Sequence, residues 1–200
     1  MNRPMSFDEF FTSSQLLLKL FKINTIIEEN SLIKLSEQVT CSGYFDYEVP
    51  ELAISKARGG WEGIYIHEFC HVLQWLDNKK LFEKNAIRGS LVDDFLEKNI
   101  RRSKKVAKAF LLSARVELDC EERVIKLIDE LGLPFDKDSY AQKANAYVLS
   151  YFTALEFRRW LSGESALYNR PEIYGKMPTT LVNLDDRNEE LINIIRGAYL

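Results

Sequence analysis

His67-Glu68-Phe69-Cys70-His71 spaces two histidines by four residues and puts a glutamate directly after the first. On a helix, positions i and i+4 lie one above the other on the same face, so both imidazoles reach one metal ion. The glutamate then stands beside that ion but turned away from direct ligation, where a general base for a polarised water belongs. These are the only two histidines in the 200-residue chain. Spending both at this spacing argues against the blander alternative, two core histidines satisfied by hydrogen bonds.

The flanking residues supply the helix. From Trp61 to Leu76 the chain is apolar throughout, Gly59-Gly60 precede it, and Asp77-Asn78-Lys79-Lys80 close it. Ile64, His67, His71 and Gln74 share one helical stripe, which places the histidines along a largely buried helix.

A catalytic zinc takes three protein ligands and a water. Without a third histidine, the remaining donor is a carboxylate, a cysteine or a tyrosine. Ser103 to Leu131 reads as one long helix stopped by Gly132 and Pro134. Its apolar stripe (Phe110, Ala114, Leu118, Val124, Ile125, Ile128) includes Glu117 and Glu121, whereas Asp119 and Glu122 point away. Two acids on a buried face are costly unless paired or bound to a metal. Ion pairs with Arg115, Arg123 or a lysine at a helix boundary are the structural alternative.

The two helices together resemble the active-site helices of the gluzincin metallopeptidases, zincins that pair H-E-x-x-H with a downstream glutamate helix. The resemblance covers Trp61 to Ile128. It implies a zinc ion held by His67, His71 and Glu117, with Glu68 as the general base of peptide-bond hydrolysis. Glu121 stands where the family usually has an aspartate that orients a ligand histidine, and is the second choice for the third ligand. The resemblance further implies a zincin-like fold and a peptide or protein substrate lying along a sheet edge, a role that falls to Leu52 to Lys56. The third histidine of the metzincins is absent, and so is any downstream histidine for the oxyanion. A tyrosine or arginine must serve instead, with Tyr147 and Tyr151 as candidates. Core packing is the alternative for these tyrosines, which recur with Tyr140 at helical intervals.

The remaining chain reads as mainly α (α+β), with five to six helices and a small two- or three-stranded sheet before the motif helix. Ser6-Phe7-Asp8-Glu9 is a capping box opening an amphipathic first helix through Phe21. Val39 to Tyr47 and Leu52 to Ala57, split by Pro50, are strand candidates. Leu91 to Arg102 reads as a shorter helix. Asp138 or Ser139 caps another that runs to Trp160, and Asp185 to Arg196 is the last. Glu164 to Leu184, carrying Pro171 and Pro178, reads as an irregular flap holding Tyr168 or Tyr174. No repeat or linker divides residues 1–200, so a single domain is expected.

Hydrophobic content of 46% describes a globular chain, and a net charge of −3 gives no support for nucleic-acid binding. The run Arg101-Arg102-Ser103-Lys104-Lys105 reads as a solvated helix start. Cys41, Cys70 and Cys120 do not form a disulfide framework. Cys70 and Cys120 each adjoin a candidate site residue, as reserve ligands or as small buried residues. Met1 to Ser6 lacks a signal-peptide pattern and Leu16 to Phe21 is too short to cross a bilayer, so a soluble cytoplasmic protein without a membrane partner is expected. Oligomeric state is not legible. Two other function classes fit the same residues: a zinc-binding protein without catalysis, its site closed by Cys120 or Glu121, and a zinc amidase acting on a non-protein substrate. A helical scaffold without metal, in which Glu117 and Glu121 pair with the histidines, is the structural counterpart.

Overall fold

A computed structural model describes residues 3–34, 40–57, 59–186 and 188–199, with only the backbone of Leu81 and Ala86. Among them the chain forms, in order, α1 (Phe7–Leu20), β1 (Asn24–Glu28), β2 (Ile33–Lys34), β3 (Thr40–Cys41), β4 (Gly43–Asp46), β5 (Glu51–Ser55), α2 (Trp61–Asp77), α3 (Lys79–Leu96), α4 (Lys104–Leu131), α5 (Lys137–Phe157), α6 (Pro171–Tyr174) and α7 (Glu189–Arg196). It is mainly helical with a small mixed sheet. It divides into two compact units, Met1–Glu83 with Lys126–Pro134, and Lys84–Ile125 with Phe135–Leu200. Among the described residues no helix is long and apolar enough to cross a membrane.

In the first unit, α1 opens with the expected capping box: Ser6 Oγ accepts from the Glu9 N–H at 3.3 Å and Glu9 Oε2 accepts from the Ser6 N–H at 2.9 Å. Two of the four orphan donors of a helix start are thereby satisfied. The apolar face of α1 meets α2 through aromatic rings. Phe10 lies edge-on to Phe69 at 5.5 Å, Phe7 to Trp61 at 5.2 Å, and Phe11 tilts on Tyr65 at 4.7 Å. The buried Tyr65 hydroxyl shares a 2.6 Å hydrogen bond with Ser14 Oγ and accepts from Gln15 Nε2 at 3.0 Å. Burying this ring therefore strands no polar group.

The three-stranded sheet has the order β1-β5-β4, with β1 parallel and β4 antiparallel to β5. This corrects the role expected for Leu52 to Lys56. That stretch is the central strand, with Leu52, Ala53 and Ile54 fully buried, and it has no free edge for a substrate. The edge strands are β1 and β4, and β4 is the one packed against α2. β1 escapes the sequence pattern because Lys22, not a glycine, takes the left-handed turn (φ 58°) that follows α1. Val39, where a strand was expected to start, lies outside the described residues. β2 and β3 form a separate antiparallel pair.

Two side-chain hydrogen bonds tie the sheet together. Glu51 accepts from Asn24 Nδ2 at 2.7 Å and from the Tyr44 hydroxyl at 2.6 Å, tying β5 to both neighbours. The second bond, with some help from burial, pushes the Tyr44 phenol up to about 12. The folded state then holds this proton more tightly than the unfolded chain, whose tyrosines titrate near 10. Its contribution is complete below pH ~10 and is lost as pH rises through about 12. Wild type is expected to lose thermal stability over that window more steeply than Tyr44→Phe. Parallel alkaline melting curves would contradict it.

Gly43 lets β4 approach α2. A Cβ there would lie 2.8 Å from Ile64 Cγ2 and 2.9 Å from Ile54 Cδ1. Gly43→Ala is expected to cost about 1–3 kcal/mol through overpacking, read as a lower melting temperature. An unchanged melting temperature would show that β4 can retreat freely.

α2 ends at Asp77 as expected, but only Asn78 (φ −151°, ψ 78°) separates it from α3. The helix expected over Leu91 to Arg102 is thus displaced toward the amino terminus. It stops where the N–H groups of Asn99 and Ile100 turn back to the Asp94 carbonyl and Lys98 takes φ 69°.

α4, which belongs to the second unit as far as Ile125, is capped by Ser103, whose Oγ accepts from the Val106 N–H at 3.2 Å. The basic run before it is exposed. Gly132, at φ 62°, terminates α4. α5 is capped two or three residues earlier than expected, by Asp136 accepting from the Ser139 N–H at 3.1 Å. It ends at Arg158, whose guanidinium donates to the carbonyls of Phe95, at 2.7 Å, and Ile100, closing the α3 terminus. Residues 164–184 are not a flap. Leu167, Ile173, Met177 and Val182 are buried with Ala146, Leu149 and Ile195 in one core cluster. Asn145 anchors their backbone, donating to the carbonyls of Pro178 (2.9 Å) and Thr180 (2.8 Å) and accepting from the Val182 N–H (2.9 Å). Pro171 starts the one-turn α6, a position its fixed φ suits. That turn makes seven helices among the described residues, one more than expected. α7 begins four residues later than expected because Asp185 joins a turn, its N–H bound to Asn183 Oδ1.

Candidate metal centre

The histidine pair lies on α2, in the first unit. α2 buries Tyr65, Ile66, Phe69, Cys70, Val72, Gln74 and Trp75, leaving His67, Glu68 and His71 half-buried along the helix. The two Nε2 atoms converge to 3.1 Å. Two nitrogens on one tetrahedral zinc, each bonded at about 2.0–2.1 Å, stand roughly 3.3 Å apart. The spacing therefore fits a shared ion. His71 Nδ1 lies 2.7 Å from Oε1 of the buried Gln74. An Nδ1–H donated to that amide oxygen leaves the Nε2 lone pair facing His67, the orientation a ligating imidazole needs. Gln74 was visible in the sequence as a stripe residue, but not as the group that orients His71.

One aromatic ring borders the pair. Phe82 lies 6.2 Å from the His71 ring, and Phe45 packs on Phe82 at 6.0 Å and on Trp75 at 5.7 Å. Glu68 is close enough to Cys41 of β3 for its charge to help raise that thiol's pKa, although burial is the larger cause and the Gly43 N–H opposes both.

In the second unit, α4 and α5 carry the acids and tyrosines. Asp119 is exposed and pairs with Arg123 at 2.9 Å, and Glu122 is exposed, as the helix reading required. Arg115 pairs with Asp185. Glu121 is 4% exposed and accepts a 2.6 Å hydrogen bond from the Tyr140 hydroxyl. Glu117 Oε1 accepts from the Tyr151 hydroxyl at 3.4 Å. The Tyr147 ring packs against Tyr151 at 6.0 Å, Trp160 at 6.1 Å and Tyr168 at 5.5 Å. Burial, and then the Glu117 carboxylate, push the Tyr147 phenol well above its ordinary value. It therefore stays protonated and remains a donor. Tyr151 thus serves packing and a carboxylate at once, Tyr147 packs among aromatic rings, and Glu117 and Glu121 each have a tyrosine partner of their own.

Cys120, fully buried between these two acids, carries a donor that the sequence reading ranked below them. His67, His71 and Cys120 form a donor set that can hold a metal ion, and its make-up leaves the metal's identity open. Thiolate and imidazole together suit zinc among the divalent ions, as they suit other thiophilic metals. No protein-family model, no curated protein and no solved structure matches this chain.

Proposed function

We propose that this protein is a zinc-dependent hydrolase of peptide bonds, with His67 and His71 as two metal ligands and the third taken from α4. The observation that carries the reading is the convergence of the two Nε2 atoms, with His71 oriented by Gln74. Cys120 is the donor that joins the histidines as a set, and Glu117 is the one the gluzincin resemblance implies. Bound there, a divalent ion would polarise a carbonyl oxygen and acidify a water.

The chain's own residues carry the rest. Glu68, one position after His67, takes the proton of the attacking water and passes it to the leaving amine. Tyr147 or Tyr151 donates to the oxygen that gains charge in the tetrahedral state. β4, whose outer edge has no strand partner among the described residues and which Gly43 sets against α2, replaces Leu52 to Lys56 as the strand along which an extended peptide lies.

Ligand identity is read from zinc affinity by competition with a chelating dye. Glu117→Ala or Cys120→Ala, whichever removes the third ligand, is expected to weaken zinc binding at least tenfold, while Asp119→Ala leaves it unchanged. Three equal affinities would remove α4 from the site.

The buried thiol favours one second reading. If Cys120 and Glu117 both bind, the site has four protein ligands, is closed to water, and holds the protein together without catalysis. X-ray absorption separates the two: a full shell of four protein ligands supports the structural role, and a shell with an oxygen from water supports the hydrolase.

A further inference from the structure

We infer that β1 is a self-complementary edge through which two copies of this chain pair, their β1 strands antiparallel about a twofold axis. Among the described residues β1 is bonded only to β5. The Asn24 N–H donates to the Pro50 carbonyl at 2.8 Å, and the Lys56 N–H donates to the Glu28 carbonyl at 2.7 Å. In a parallel ladder each residue turns both its N–H and its C=O to the same side, alternately. Asn24, Ile26 and Glu28 therefore face β5, and Thr25 and Ile27 turn theirs outward. An open row of this kind is a template for another strand.

The register follows from that alternation. Antiparallel pairing requires outward residues to meet outward residues, so Thr25 of one copy stands opposite Ile27 of the other, with the axis at Ile26. Four backbone hydrogen bonds close the pair. The charge pattern suits the same register. Lys19 and Lys22 precede the strand, and Glu28 and Glu29 end it. In this register the turn that carries Lys22 faces the end of the second copy's strand, where Glu28 and Glu29 lie, twice over by symmetry. Here Glu28 accepts from Ser31 Oγ at 3.2 Å and Glu29 pairs with Lys56 at 2.9 Å, both within the chain.

The surface beside the strand start is apolar. Leu16, Leu20 and Phe21 are 67%, 76% and 47% exposed, three of the five large hydrophobic side chains that stand out from the described surface. A shallow cavity of about 560 Å³ lies there, lined in part by Leu16, Lys19, Lys22 and Thr25. Contiguous exposed apolar surface next to an open edge marks an interaction site. The basic and acidic ends of one strand select a second copy as occupant over a partner of single charge.

Sedimentation velocity over a concentration series at low salt tests this on the full chain. Wild type is expected to show a monomer–dimer equilibrium. Thr25→Pro removes an outward N–H without touching the β1–β5 ladder, so it is expected to stay monomeric with an unchanged circular dichroism spectrum. Lys22→Glu is expected to weaken dimerisation about tenfold by setting like charges at the ends that meet, and adding Glu28→Lys to it should restore the wild-type constant. A wild type that is monomeric throughout overturns the inference. So does a dimer that survives Thr25→Pro, or a double variant no stronger than Lys22→Glu; the charge pair decides even if Thr25→Pro fails to fold. None of these readouts depends on the metal reading.

Discussion

Glu68→Gln is expected to keep its zinc and lose peptide hydrolysis by about 10²–10⁴-fold, the usual contribution of a positioned general base. The amide has nearly the same shape as the carboxylate but cannot accept the proton of the attacking water. It also leaves the ligands alone, because a residue one position after His67 points about 100° around the helix from it. Glu68 is half-buried on α2, whose packing rests on Tyr65, Ile66, Phe69 and Val72, so the fold is not expected to change. Metal content and turnover of a mixed peptide substrate, measured on the same preparation, separate the effects. Unreduced turnover with zinc retained would remove Glu68 from the chemistry. Loss of zinc together with turnover would make Glu68 part of the metal site.

His71→Ala is expected to abolish stable zinc binding, and Gln74→Leu to weaken it about 10–100-fold while leaving both imidazoles in place. The first removes a ligand from a set with only two histidines. The second removes the 2.7 Å contact at His71 Nδ1, so the ring is free to turn or to carry its proton on Nε2. The two losses should appear in stability as well. An ion that binds only the folded chain stabilises it by about 4 kcal/mol at a thousandfold excess over its dissociation constant. Zinc should therefore raise the melting temperature of wild type strongly, of Gln74→Leu less, and of His71→Ala not at all. Equal zinc-induced shifts in all three would place any bound ion elsewhere.

Much of this arrangement was legible in residue spacing. The capping box, α2 from Trp61, and α4 from its Ser103 cap to its Gly132 stop follow local rules and lie where those rules put them. The exposed Asp119 and the buried Glu121 follow from the 3.6-residue repeat alone. What escaped depends on contacts remote in sequence or on irregular backbone. β1 is a five-residue strand that follows a left-handed lysine, and its pairing with β5 joins residues 27 apart in the chain. The centrality of β5 follows from that pairing, so Leu52 to Lys56 could not be recognised as an inner strand. Residues 164–184 contain two prolines and no period, yet Asn145 of α5 satisfies their backbone and holds them in the core. At the site, the histidine pair is written in five residues, 67–71. The choice among Glu117, Cys120 and Glu121 is not, because all three lie on neighbouring turns of α4 and only their partners distinguish them.

The most direct test of the account is metal content by elemental analysis of tag-free protein purified without chelators. About one zinc per chain is the expected result, lost in His71→Ala, as a ligand set of two imidazoles and an α4 donor requires. Protein that carries no metal and takes up no added zinc tightly would contradict the metal centre, leaving the histidine pair as packing along α2.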